Sequence, residues 1–424
     1  MLANSQIPLA EPLPVTALES APHLRLCEPV SPPQKTPSLL LAIICIVLVA
    51  LTLRPAIVSV GPLLPGIIAD FGLSHTQASL LTAIPTLLMG LMALPTPWLA
   101  RRFGRDRVIL IALLVLLATT GLRAVAGSIA GLFLTTVGIG AGIAVAGALL
   151  AGFVKGHYPK QAALLMSLYA TALALGSTIA AAVTGPVAEA TASWRLGASV
   201  WMLPVVIAIA AWWLVERHFR TAAQGKVSAR RYAMPLGNRT AWLIALFFAC
   251  NNIVFYAFIS WTAPMFVEYG RLPTTAGLIL ASFTLAFMIS NPLFGVLSRH
   301  EDRRVALAVS SAIALLGTLS LAIAPNAMPF VSIPLVAFGT GGAFTLAMTL
   351  PLDNTENADE ANAWNAFVLL VSYVVAASGP LLMGYLRDVT GGFHLSLWLM
   401  VGVSVVMLGT TPFLKPHRRG AELG

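Results

Sequence analysis

Long apolar runs, separated by short polar stretches, fill the chain from about residue 38 onward. Their approximate limits are 38–65, 75–99, 107–125, 129–153, 161–185, 195–216, 240–266, 274–297, 304–324, 329–351, 361–385 and 392–414. Each run approaches or exceeds the ~20 apolar residues that cross a bilayer as a helix. The runs are continuous and rich in Leu and Ala rather than alternating, which disfavours a transmembrane β-barrel. The pattern predicts an all-α membrane protein with twelve transmembrane helices. Residues 1–37 are polar and proline-containing, and they lack the basic start and short apolar core of a signal peptide. They read as a disordered cytoplasmic tail, with residues 415–424 as a second one. The longest interior link, 217–239, is basic and splits the helices into an N-terminal half, 38–216, and a C-terminal half, 240–414.

The two halves resemble each other. FGLSHTQAS at 71–79 matches YGRLPTTAG at 269–277, and LARRFGRDR at 99–107 matches LSRHEDRRV at 297–305, both at an offset of 198. VGIGAG at 137–142 matches FGTGGA at 338–343 at an offset of 201, and Gly185-Pro186 recurs as Gly379-Pro380 at 194. Four weak matches in the same order at nearly constant offset point to two six-helix repeats, the architecture of transporters that rock around a midplane site.

Composition agrees: 58% of the residues are hydrophobic, 10% are charged, and the mean hydropathy is +0.86. Soluble chains carry about 25% charged residues. The formal net charge of +9 raises the question of nucleic acid. Its distribution answers it, because 20 of the 25 Lys and Arg residues fall on even-to-odd links and the termini. The positive-inside rule then places both termini in the cytoplasm and leaves no basic surplus for nucleic acid. Three cysteines, Cys27, Cys45 and Cys250, form no disulfide framework or metal motif. No HExxH, P-loop or nucleophile motif occurs, so neither a cofactor nor an enzyme is expected.

The candidate chemistry centres on LRPAIVSVGPLLP, residues 53–65. Arg54 is a charge inside an apolar run, at a cost of about 2.5–3.5 kcal/mol on insertion scales, and such charges are kept where they face a protein or aqueous interior. The competing reading is an arginine snorkelling to the outer interface. Adding 198 brings Arg54 onto Asn252 in the seventh helix, so the two are expected on opposite walls of one cavity. Asn251 and Asn252 form a polar pair, Tyr256 lies one turn on from Asn252, and Tyr169 and Tyr373 lie at comparable depth. These six are the candidate substrate-binding residues, each of the five partners having the alternative of a buried side chain with a satisfied hydrogen bond. No Asp or Glu falls deep in any run, which favours an anionic or neutral polar solute over a cation. The glycines of the fourth and tenth runs mark close helix approach. Gly185-Pro186 and Gly379-Pro380 are expected to end their helices, the alternative being a kink that bends in gating, and Trp98, Trp194 and Trp242 to anchor interfaces.

PWLARRFGRDR at 97–107 resembles the loop signature of the major facilitator superfamily, with Gly104-Arg105 in place and Arg101 where an aspartate is usual. The second copy, GVLSRHEDRR at 295–304, has Arg299 at the acid position, with Arg303 following. These five residues are candidate gating positions, against the plainer reading of a positive-inside loop. With LLTAIP at 80–85 and GTGGAFTLAMTLPLD at 339–353, the chain over residues 40–412 is similar to the cyanate and 2-nitroimidazole transporter family of that superfamily. The resemblance implies a bacterial inner-membrane carrier of a small anionic or polar compound, expected to act as a monomer in the lipid bilayer. The alternatives are a broad-specificity efflux pump for uncharged compounds, or a non-transporting membrane sensor.

Overall fold

The computed structural model describes residues 39–158, 161–219, 234–298, 302–355 and 358–415. Among them all regular structure is helical. Eleven helices or kinked helix runs are long and apolar enough to span a membrane, and a pair bent by 65°, His75–Leu91 with Thr96–Phe103, makes the twelfth. In chain order, span 1 is Leu39–Phe71 and span 2 is the bent pair. Spans 3 to 6 are Arg105–Val125, Ile129–Val154, Leu164–Ala190 and Trp194–Leu214. Spans 7 to 9 are Arg239–Glu268, Pro273–Leu297 and Arg304–Ile323, and spans 10 to 12 are Pro329–Asp353, Ala363–Thr390 and His394–Phe413. "Terminus side" below means the side where Leu39 starts span 1, and "far side" the other.

Several helices run further than the sequence suggests. Span 1 continues to Phe71, and span 5 continues past Pro186 to Ala190. Span 11 pauses at Ala377 and resumes over Ser378–Thr390 through Pro380. Gly185-Pro186 and Gly379-Pro380 therefore do not terminate their helices. A proline forfeits one hydrogen bond, and neighbouring helices hold the remainder in register. Span 2 departs the other way: its straight part stops at Leu91, where Pro95 and Pro97 start a short basic helix. Gly104 closes that helix at φ +88°, a conformation suited to glycine.

The peripheral spans expose apolar side chains to lipid, such as Ile111 and Leu114 on span 3, Leu203 and Ile207 on span 6, and Val405 and Val406 on span 12. Span 7 is the opposite case, 83% buried over its apolar window. Buried apolar residues form three large clusters. One joins both halves on the far side, bringing Val58, Leu63 and Ile67 of span 1 together with Val254, Phe258 and Trp261 of span 7. The other two lie on the terminus side. Cys45, Val49 and Trp212 belong to a cluster within the N-terminal half, and Phe247, Leu307 and Phe367 to one within the C-terminal half. Fused apolar cores on one side and separate ones on the other describe a bundle closed on its far side.

Equivalent glycines make equivalent contacts. A side chain at Gly140 would start 2.7 Å from Pro85 Cα on span 2, and one at Gly341 would start 2.9 Å from the Phe287 carbonyl on span 8. Gly176 of span 5 packs on the Leu51 carbonyl, and Gly379 of span 11 on that of Ile253.

Candidate functional site

Span 1 breaks at Arg54 because Pro55 follows it. Proline carries no N–H for the Leu51 carbonyl, and its ring displaces that carbonyl. The helix stops at Leu53 and restarts with Pro55 as its first residue, leaving Arg54 at φ −97°, ψ −33°. The released Leu51 carbonyl is the group on which Gly176 packs. A second break at Ser59 precedes Pro62, whose missing N–H likewise frees Val58. The short segment between the breaks is pinned from span 3. Arg123 Nη1 donates to the Ala56 carbonyl at 3.4 Å and Nη2 to Thr136 Oγ1 at 2.8 Å. Arg123 is only 4% exposed, although its place near a span end reads in sequence as an ordinary loop cation.

With span 1 running to Phe71, Arg54 lies 15 residues from one end and 17 from the other. At ~1.5 Å per residue both helix ends are over ~20 Å away, which sets Arg54 near the middle of the span. The guanidinium crosses to the other half, where Nη1 donates to the Tyr256 hydroxyl at 3.0 Å. Its Cζ lies 5.9 Å from the Tyr256 ring centroid. Among the described residues Arg54 forms no ion pair. Tyr256 is 1% exposed and Tyr373 7%, with ring centroids 6.1 Å apart, and the Tyr256 hydroxyl also meets Met89 Sδ at 3.6 Å. Met89, Phe255 and Leu369 complete this cluster. Tyr169 is half-buried on span 5, its hydroxyl beside Gly147 of span 4.

Tyr256, rather than Asn252, stands opposite Arg54. The packing pairs Leu51–Gly176 and Ile253–Gly379 differ by 202 and 203 positions, and 54 plus 202 is 256. The match at 71–79 carries the offset of 198 because span 1 has four more residues than span 7 between this centre and that loop, 17 from Arg54 to Phe71 against 13 from Tyr256 to Tyr269. Asn252 remains one turn from Tyr256, 1% exposed, with its amide nitrogen unpartnered. Asn251 is fully buried with both side-chain polar atoms unpartnered.

The gating candidates scatter. Arg101 is exposed on the short basic helix, and Arg105 opens span 3 after Gly104. Arg303 is anchored by Asp353 of span 10 at 2.7 Å and donates to the Ser298 carbonyl at 2.6 Å. Arg299 lies outside the described residues. Of the tryptophans, Trp98 and Trp242 are exposed, but Trp194 is 9% exposed, bonded to Asp70 at 3.1 Å and stacked under Arg195.

The far-side seam went unrecognised in the sequence because its residues are ordinary hydroxyls and carbonyls. Thr82 and Ser260 hydroxyls meet at 2.7 Å, and Ser79 Oγ donates to the Pro380 carbonyl at 2.8 Å. Gly61 lets span 1 approach the Ile259 carbonyl of span 7. Asp388 of span 11 receives the N-terminus of span 2. Its carboxylate accepts the backbone N–H groups of His75 and Thr76 at 2.9 and 2.8 Å and the Thr76 hydroxyl at 2.6 Å, and it faces His75 Nδ1 at 2.7 Å. Anion and helix N-terminus attract through the helix dipole. A crevice of about 590 Å³ opens on this side between Pro62, Asp70, Glu189, Arg195 and Pro273, away from Arg54.

Comparison with known proteins places this arrangement. A family model described as Major Facilitator Superfamily matches residues 39–377 and 264–422. The uncharacterized transporter YycB of Bacillus subtilis (strain 168) is 30% identical over 365 residues, 85% of this chain and 90% of that one. The cyanate transport protein CynX of Escherichia coli (strain K12) is 28% identical over 380 residues, 88% of this chain and 98% of that one. The 2-nitroimidazole transporter of the same organism is 28% identical over 368 residues, 86% and 91% of the respective chains. Among solved structures, a bacterial homologue of the human lysosomal transporter Spinster, inward-facing and occupied, superposes with a TM-score of 0.74 at 19% identity. It covers 91% of this chain and 97% of its own.

Proposed function

We propose, from the premise that the chain belongs to the major facilitator superfamily, that it moves a small anionic or polar solute by alternating access, with Arg54 as the central ligand. The chain is a multi-pass membrane transporter. The solute and the site are our reading. The observation that carries it is a midplane arginine that bonds a tyrosine hydroxyl and, among the described residues, no carboxylate. A buried cation without a counter-ion is costly, and an incoming anion supplies the missing charge. Charge-assisted hydrogen bonds to a guanidinium are about twice as strong as neutral ones. The aromatic pair Tyr256 and Tyr373 beside Arg54 suits a flat solute, which is why a nitroimidazole-like ring stands beside a cyanate-like ion, with Tyr169 as a further candidate contact. The unpartnered amide of Asn252, and that of Asn251, are further candidate contacts. The closed far-side seam supports access to half-buried Arg54 from the terminus side. The basic links support the reading that this side is the cytoplasm of a bacterial inner membrane, with both termini there, and that the protein acts as a monomer.

The test is uptake into proteoliposomes of a panel of small anions and nitro-heterocycles, with and without a pH gradient. The expected result is transport of at least one member by the wild type and none by a folded Arg54→Ala variant. Equal transport by both would remove Arg54 from the site.

A further inference from the structure

We infer that Tyr256 is the rival of the substrate for Arg54, so that anion binding and release of the far-side seam are one event. This rests on the reading of Arg54 as the anion's ligand, and it concerns what occupies that ligand beforehand. A guanidinium has five N–H donors and no acceptor, and here one of them is given to a phenol across the interface. Arg54 and Met89 belong to the N-terminal half and Tyr256 to the C-terminal half, so the Arg54–Tyr256–Met89 chain at 3.0 and 3.6 Å ties the halves together at the midplane. The tie continues into the seam. Ser260, one turn beyond Tyr256, bonds back to the Tyr256 carbonyl at 2.7 Å and across to Thr82 at 2.7 Å.

The phenol is held in place by packing. Phe255 meets its ring edge-on at 5.1 Å between centroids, and Tyr373 lies at 6.1 Å. Its bond to Arg54 has the charge on the donor alone, so an anion, whose bond to Arg54 has charge on both sides, is the stronger acceptor and displaces it. A neutral solute with only weak acceptors competes on equal terms or worse. The tyrosine is then a selectivity filter for charge. Displacing it removes a cross-half bond, which shifts the balance toward the far-open conformation in the manner required of any ligand with unequal affinity for two states.

Tyr256→Phe keeps the ring and removes the hydroxyl, and two readouts on the full-length protein in nanodiscs separate the possibilities. The first needs no ligand. Spin labels at the exposed far-side positions Val125 and Val389, one per half, report the separation of the halves. The variant should populate the longer distance several-fold more than the wild type, and an unchanged distribution overturns the inference. The second is equilibrium binding of cyanate and nitrate. Losing a competing hydrogen bond to a charged group should tighten binding about tenfold. Weaker binding by Tyr256→Phe would make the tyrosine a ligand and overturn the inference. An Arg54→Ala protein that binds these anions as well as the wild type would instead overturn the reading of Arg54, so the two failures are told apart.

Discussion

Spans 1 and 7 occupy equivalent places in the two halves and are built in opposite ways. Span 1 is broken twice, at Arg54 and Ser59, carries three prolines, and holds its charge at the first break. Span 7 is a single helix from Arg239 to Glu268, unbroken through its middle and 83% buried over its apolar window. The break aims a long cationic side chain across the interface, and the continuous helix presents a fixed acceptor to it. Pseudo-symmetry therefore supplies the frame, and departure from symmetry supplies the chemistry. A glycine beneath each centre, Gly176 or Gly379, maintains the same packing on a carbonyl of the facing helix.

The largest effect should come from removing the charge. Arg54→Ala should reduce transport at least about tenfold, since a charge-assisted bond to substrate is lost, while Arg54→Lys restores only part because a point charge lacks the planar fork. The two glycines come next. Gly176→Ala and Gly379→Ala each force a methyl against backbone, and thermal unfolding should show losses of similar size, about 1–3 kcal/mol. Only Gly176→Ala should also weaken substrate binding, because it alone adjoins the break that places Arg54. Unequal stability losses would break the claimed equivalence of the two spans. Pro55→Ala allows span 1 to run on through Arg54. Proline suits a first helical position, so unfolding temperature should change little, while substrate affinity falls a few-fold as the guanidinium turns away. Asp388→Asn should have the smallest effect. It weakens a partly exposed carboxylate–dipole contact of about 0.3–1 kcal/mol, seen as a modest shift of the Val125–Val389 spin-label distances toward the longer separation.

Much of the architecture is legible along the chain, because a bilayer permits few ways to satisfy a backbone and the apolar runs state their lengths openly. The straight 75–99 helix fails at Pro95 and Pro97, and the endings assumed at Gly185 and Gly379 fail for the converse reason. Whether a proline ends, bends or merely interrupts a span depends on neighbours that accept its freed carbonyl. Arg54 stands out in sequence because a charge in an apolar run is conspicuous. Tyr256 is legible as a candidate but not as the residue opposite Arg54, since an offset taken from loops misplaces the span centres by four residues and points to Asn252 instead. Arg123 is hidden by its position near a span end, and the Thr82–Ser260 and Asp388–His75 contacts are hidden because small polar residues near helix ends are commonplace.

The central claim is that the charge of Arg54 faces the solute, and titration calorimetry of a small anion into purified protein tests it most directly. Wild type and Arg54→Ala, both shown to be folded by thermal unfolding, would be titrated with cyanate and nitrate. The account predicts measurable binding of at least one anion by the wild type and none by the variant. Equal affinity in the two proteins would contradict it.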